Sequence, residues 1–169
     1  ADDTLSLYAA GYDSSNNYLG DQTVTWLTTG TLDDINYVGS SLEFQPIIAP
    51  SSGQIIAQSG SISDLTGTIN VDYGVLNHIM ITDSPGGIEI GNINLIAGQP
   101  INLYSSGYDS DNNFISLINS TWSSTGSLDP VTGSGDQYTF TPATAPTAGT
   151  IVATYNSFSD ATGTINVEE

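Results

Sequence analysis

The sequence predicts an all-β protein built as two tandem β-sandwich domains, the first lacking its N-terminal strand. Three observations predict it. A stretch reading Gly11-Tyr12-Asp13-Ser14-Ser15-Asn16-Asn17-Tyr18 and running on to Thr25-Trp26 recurs as Gly107-Tyr108-Asp109-Ser110-Asp111-Asn112-Asn113-Phe114, running on to Thr121-Trp122. An offset of about 96 positions aligns Leu5 to Val71 with Ile101 to Val167 without a gap, and roughly 30 of some 67 pairs are identical. Short runs of β-branched and aromatic residues are separated by Gly, Pro, Asn, Asp and Ser clusters at sandwich spacing, while helical patterning is nearly absent. The expected domains are residues 1–73 and 74–169.

The elements follow in order from alternation and turn residues. Leu5-Ser6-Leu7-Tyr8-Ala9 has period two, which places Leu5, Leu7 and Ala9 on one face and Tyr8 on the other. Asp13 to Asn17 is turn-rich. Thr23 to Trp26 is the next strand, with Val24 and Trp26 sharing a face, and Gly30 and Asp33-Asp34 break it. Asn36-Tyr37-Val38 is a short, weakly patterned strand. Ser41-Leu42-Glu43-Phe44 alternates well; Pro46 and Pro50 close it, since proline cannot donate to a ladder. Gln54 to Ala57 and Thr68 to Val71 are expected to form the last pair, joined by a polar loop through Asp64. Trp26 and Trp122 are expected in the two cores.

The segment from Asp72 to Pro100 lies between the aligned stretches. Its runs His78-Ile79-Met80-Ile81 and Ile88-Glu89-Ile90 flank a Pro85-Gly86-Gly87 turn. They read as the opening strand of the second domain, bent or split at the turn. Ala1 to Thr4 align with Ala97 to Pro100, so nothing in the first domain corresponds to His78–Ile90. The first sandwich then has an open ladder edge and uncovered core, where each exposed Ile or Leu forfeits roughly 1.5–3 kcal/mol. Two explanations follow: a piece cut or processed from a longer array, or a strand supplied by another subunit through β-augmentation.

Composition excludes whole classes of function. The formal charge is −18, with no Lys, no Arg and no Cys. Nothing is present to neutralise a phosphate backbone, so nucleic acid is excluded as a partner. Anionic membrane surfaces and phosphate-loop chemistry fall for the same reason. No stretch reaches the ~18 apolar residues of a membrane helix. The polar, mildly acidic surface suits an extracellular or cell-surface protein.

The ordered motifs, each present twice, carry a resemblance. They are Gly107-Tyr108-Asp109, Thr121-Trp122-Ser123-Ser124-Thr125-Gly126, and Phe140-Thr141-Pro142 through Gly149-Thr150-Ile151-Val152-Ala153. In this order they resemble the Ig-like (Big-type) repeats of bacterial and archaeal surface proteins. The resemblance implies two Ig-like sandwiches strung in adhesins, stalks or filaments, and it implies no catalytic residues.

Candidate site residues fall into two groups. Asp13 and Asn16, and Asp109, Asp111 and Asn112, offer alternating oxygens for calcium, with Asp72 expected at the domain junction. The same spacing also makes an Asx turn, in which the side chains bond their own backbone. Tyr8 and Tyr104, opposite the core face, are candidate sites of a repeated lateral or glycan contact. The only His, His78, sits in a strand and is read as structural, and Asn119-Ser120-Thr121 is a glycosylation sequon. The expectation is a non-enzymatic structural or adhesive module whose partners are copies of itself or neighbouring Ig-like domains, with strand complementation of the first domain as its specific form. A carbohydrate-binding accessory pair in a secreted multidomain enzyme is the alternative, with surface glycans as partners.

Overall fold

A computed structural model describes all 169 residues. They form strands and no helix, and separate into two compact units, Ala1–Gly74 and Val75–Glu169. The first contains β1 (Leu5–Tyr8), β2 (Ala10–Tyr12), β3 (Tyr18–Asp21), β4 (Val24–Thr28), β5 (Asn36–Gly39), β6 (Ser41–Phe44), β7 (Ser51–Gly53), β8 (Ile55–Ser59), β9 (Ile62–Leu65) and β10 (Ile69–Val71). The second contains β11 (His78–Thr82), β12 (Ile93–Ile96), β13 (Ile101–Tyr108), β14 (Phe114–Leu117), β15 (Ser120–Ser124), β16 (Thr132–Gly135), β17 (Gln137–Phe140), β18 (Thr147–Gly149), β19 (Ile151–Tyr155), β20 (Phe158–Ala161) and β21 (Ile165–Glu168).

The repeat seen in sequence is also a repeat of pairing. The sheet β5-β4-β8-β9 in unit 1 matches β16-β15-β19-β20 in unit 2, and β7–β10 matches β18–β21. Strand β13 does the work of β1 and β2 together: its first half pairs with β17 and its second half with β14. Strands β11 and β12 have no counterpart in unit 1. β11 runs antiparallel along β13, from His78 opposite Tyr108 to Thr82 opposite Tyr104. β12 runs parallel to β21. Unit 1 has no strand in the place of β11: residues 10–12 pair only with β3, and the single run of unit 2 is there broken at Ala9 into β1 and β2.

Alternation explains which faces are buried. Val24 with Trp26, and Leu42 with Phe44, turn inward onto Leu32, Ile55 and Val71. In unit 2, Trp122, Phe140, Leu128, Ile151 and Val167 hold the corresponding places and join Ile79, Ile81, Ile90 and Leu95, which all come from the segment 79–95. Several sheets closing on one apolar core per unit is a β-sandwich arrangement. The indole N–H of Trp26 donates to Gly39 O at 3.0 Å, and that of Trp122 to Gly135 O at 2.9 Å. Each large ring is thereby buried without stranding its polar atom.

The pairing expected between Gln54–Ala57 and Thr68–Val71 is not found. β8 pairs with β4 and β9, while β10 pairs with β7. The stretch through Asp64 is itself a strand. Ser59 faces Ile62 across a two-residue turn in which Gly60 takes a φ of 60°, and Tyr155 faces Phe158 across Asn156 at a φ of 52°. Gly and Asn tolerate this left-handed backbone, so a hairpin closes where a loop was expected. The segment from Asp72 to Pro100 is split further than its two runs suggest. Ile88–Ile90 folds back on β11 through one bridge, Thr82 to Glu89, and Ile93–Ile96 then joins a different sheet.

Candidate functional site

The site is the place in unit 1 where unit 2 carries β11. In unit 2 the segment 77–96 acts as a strap. Ile79 and Ile81 are 4% and 0% exposed, and they point into the core beside Leu103 and Ala153. The Ile81 N–H donates to Asp160 Oδ2 at 2.6 Å, the Gly163 N–H to Ile90 O at 2.8 Å, and the Thr164 N–H to Asn92 Oδ1 at 2.7 Å. His78 stacks on Tyr108 with ring centroids 5.5 Å apart and planes 13° from parallel. This is the structural role read for the lone His.

Unit 1 has the receiving surface with nothing laid on it. A groove of about 650 Å³ runs between Leu7–Tyr12 and Ile62–Thr66, floored by Val24, Trp26, Ile55 and Ala57. Exposure follows the missing strand. Tyr12 is 57% exposed and its counterpart Tyr108 is 4% exposed. Leu103 and Ala153 are both fully buried, while their counterparts Leu7 and Ala57 are only half-buried. A second hollow of about 380 Å³ borders Leu5, Phe44, Ile69 and Val71, along the free edge of β10 where β12 lies against β21. The groove is apolar between a polar rim of Gln22, Ser63 and Asp64, which is the chemistry of a half-built sheet layer.

The other candidate residues fall into separate places. Asp13 Oδ1 accepts the N–H groups of Ser15 and Asn17 at 2.9 and 2.8 Å, and the Asn17 amide donates to both carboxylate oxygens. That amide, then the Asn17 and Ser15 N–H groups, hold the Asp13 carboxyl below its ordinary value of 3.8. Asp109 repeats the arrangement with Asp111 and Asn113 and is fully buried. Asn16 and Asn112 sit in the tips at φ 64° and 65°. These are Asx turns, with the carboxylate oxygens turned to N–H donors. Asp111 and Asn112 are exposed beside Asp109. Asp72 belongs to the other unit, where its carbonyl accepts the terminal amine of Ala1.

Tyr8 and Tyr104 are not equivalent. Tyr8 is 67% exposed, while Tyr104 is half-buried next to Thr82 of β11. Tyr12 and Tyr18 form an exposed pair with centroids 5.8 Å apart. Tyr18 donates its hydroxyl to Asp21 Oδ1 at 2.7 Å, which raises its pKa.

Asp33, read only as a strand breaker, and its repeat counterpart Asp129 are anchors. Asp33 Oδ2 accepts the N–H groups of Ile47 and Ile48, and Asp129 Oδ2 those of Ala143 and Thr144. The Thr144 hydroxyl first, then these N–H groups, hold the Asp129 carboxyl below its ordinary value. The recurring Gly-x-Leu-Asp signals this: a Cβ on Gly30 or Gly126 would meet a backbone carbonyl at 2.2 or 2.3 Å, and the Leu is buried.

No protein-family model and no curated protein matches the chain. Among solved structures, the chain is similar to the crystal structure of domains 4 and 5 of the S-layer protein SbsC, at 16% identity over 95% of this chain and 80% of that one, with a TM-score of 0.35.

Proposed function

We propose that this chain is a non-enzymatic structural module of an extracellular stalk or filament: two Ig-like sandwiches in a row, the first completed by a strand that another subunit donates. One observation carries the reading. Unit 1 repeats the pairing of β13–β21 of unit 2 yet presents an open apolar groove where unit 2 holds β11. An extended segment laid there gains main-chain hydrogen bonds from β2 and covers apolar surface worth about 25 cal/mol per Å². Copies or neighbouring Ig-like modules are the partners, and surface lacking Lys and Arg does not bind nucleic acid.

Light scattering across a concentration series tests this. The expected result is growing assembly that Ala57→Trp, which fills the groove, prevents. A monomer at every concentration rejects assembly of this chain through unit 1. Repeating the series with EDTA tests the calcium expectation at Asp109, Asp111 and Asn112: assembly unchanged by EDTA removes calcium from the proposal. The exposed Tyr8, Tyr12 and Tyr18 favour the carbohydrate-binding alternative. Binding to a glycan array that is lost in Tyr12→Ala would select it instead.

A further inference from the structure

We infer that Asn119 is the attachment site of an N-linked glycan, and that the sugar lies over the outer face of the sheet β16-β15-β19-β20. This rests on the extracellular placement in the reading above and is independent of strand donation.

The fold presents the acceptor. Asn119-Ser120-Thr121 is the only Asn-x-Ser/Thr sequence in the chain, and it spans the link from β14 into β15. Alternation sorts its side chains. Ile118 packs against the core, Ser120 is fully buried with its Oγ 2.8 Å from Ser105 Oγ, and Trp122 is 1% exposed. Asn119 and Thr121 therefore turn the other way, and both are exposed. Two residues of extended chain set them about 6–7 Å apart on one face. The backbone on either side is fixed: the Ile118 N–H donates to Ser105 O at 2.8 Å, and Ser120 pairs with Gly135. The carboxamide and the hydroxyl of the acceptor sequence thus stand together in solvent, while the residue between them is pinned inside.

The surface beside Asn119 suits a sugar. Thr121 lies between Ser134 and Thr154, with Ser123 opposite Thr132 and Thr154 opposite Ser159. All six are exposed, short and uncharged, and each offers a hydroxyl that both donates and accepts. The same face of unit 1 is built differently. Leu27, Val38, Ile56 and Leu65 stand where unit 2 has Ser123, Ser134, Val152 and Ala161, and Thr23 stands where it has Asn119. The unit with the acceptor asparagine has a hydroxyl face beside it. The unit without one has an apolar face, where sugar hydroxyls would lose hydrogen bonds to water and gain none.

The transfer needs a sugar carried on a lipid diphosphate and a transferase outside this chain. Asn119 Nδ2 forms a bond to the anomeric carbon, and the bond from that carbon to the phosphate oxygen breaks. The lipid diphosphate leaves with the electron pair, and the amide nitrogen gives up one proton to a base. Nothing is oxidised or reduced.

The test uses the full chain recovered from the cells that make it. Chymotrypsin replaces trypsin, since the chain has no Lys or Arg. Tandem mass spectrometry is expected to find the peptide containing Asn119 heavier by a series of sugar residues, with fragmentation placing them on Asn119. In the same cells Asn119→Gln and Thr121→Val should abolish the modification and Thr121→Ser should keep it. All three changes are at exposed positions, and circular dichroism should show the β fold retained. Nuclear Overhauser contacts are expected from the first sugar to Thr121 and Ser134. An unmodified Asn119 in chain taken from the cell surface or medium overturns the inference while the extracellular reading stands. Unmodified chain found only inside the cell refutes both. Sugar that persists in Thr121→Val, or that sits on Ser or Thr instead of Asn119, overturns the attachment site. A glycan without contacts to Thr121 and Ser134 overturns its placement over the sheet.

Discussion

Truncating one leucine in each unit measures how open the groove is. Leu7 and Leu103 occupy the same repeat position, and both strands pair with the equivalent neighbour, β1 with β6 and β13 with β17. Leu103 is fully buried beneath the strap, whereas Leu7 is half-buried and lines the groove. Leu103→Ala leaves a sealed cavity and is expected to cost about 3–4 kcal/mol. Leu7→Ala loses only about half the transfer term and leaves no sealed void, a cost of about 1–1.5 kcal/mol. The difference, about 2 kcal/mol, corresponds to about 8–16 °C in melting temperature for a unit of this size. Each unit has one tryptophan, so fluorescence melts separate them: Leu103→Ala read by Trp122 in a Trp26→Phe background, Leu7→Ala read by Trp26 in a Trp122→Phe background. Equal shifts, within about 0.5 kcal/mol, would show that Leu7 is covered in solution and that the groove is not open.

Three further outcomes follow from the same structure. Asp160→Ala removes the acceptor of the Ile81 N–H and should lower the urea midpoint of unit 2 by the equivalent of about 1–2 kcal/mol, with Asp64→Ala close to neutral. Gly163→Ala pushes a Cβ into the Gly91 backbone and should cost about 1–3 kcal/mol by thermal melt, while Gly67→Ala should cost under about 0.5 kcal/mol. Asp13 and Asp129 have carboxyls depressed below 3.8, by the Asn17 amide and the Thr144 hydroxyl respectively. Their contribution is therefore fully present above that value and is lost as pH falls through the lower folded value. Asp13→Asn with Asp129→Asn should flatten the acid limb of a stability-against-pH curve, and an unchanged limb would refute their part in it.

Much of the fold was legible because its signals are local and repeated. Alternation in Val24-Thr25-Trp26 and Leu42-Glu43-Phe44 gave the buried faces, and the absence of any match to His78–Ile90 pointed to the uncovered side of unit 1. What was not legible depends on partners distant in sequence. Ile62–Leu65 is exposed on both faces, so its strand carries no apolar period, and the turn glycine Gly60 was its only signal. Ile93–Ile96 alternates, but its parallel place beside β21 follows from tertiary packing. Tyr8 and Tyr104 hold the same repeat position and differ in exposure because β11 lies along one of them only. The Asp-to-Asn spacing at Asp13 and Asp109 serves an Asx turn and a cation loop alike, and the direction of the N–H groups shows only in three dimensions.

The parallel pairing of β12 with β21 has a consequence for tension. In that ladder Ile93 faces Ile165 and Ile96 faces Glu168, so the two strands run the same way. A pull that draws the start of β12 and the end of β21 apart loads every rung in shear at once, and the rungs must fail together rather than one by one. β10 has no such companion in unit 1, and its only ladder is the short antiparallel one to β7. Stretched in series, unit 1 should yield at lower force and unit 2 should hold, and a strand docked along β10 would bring the two rupture forces together.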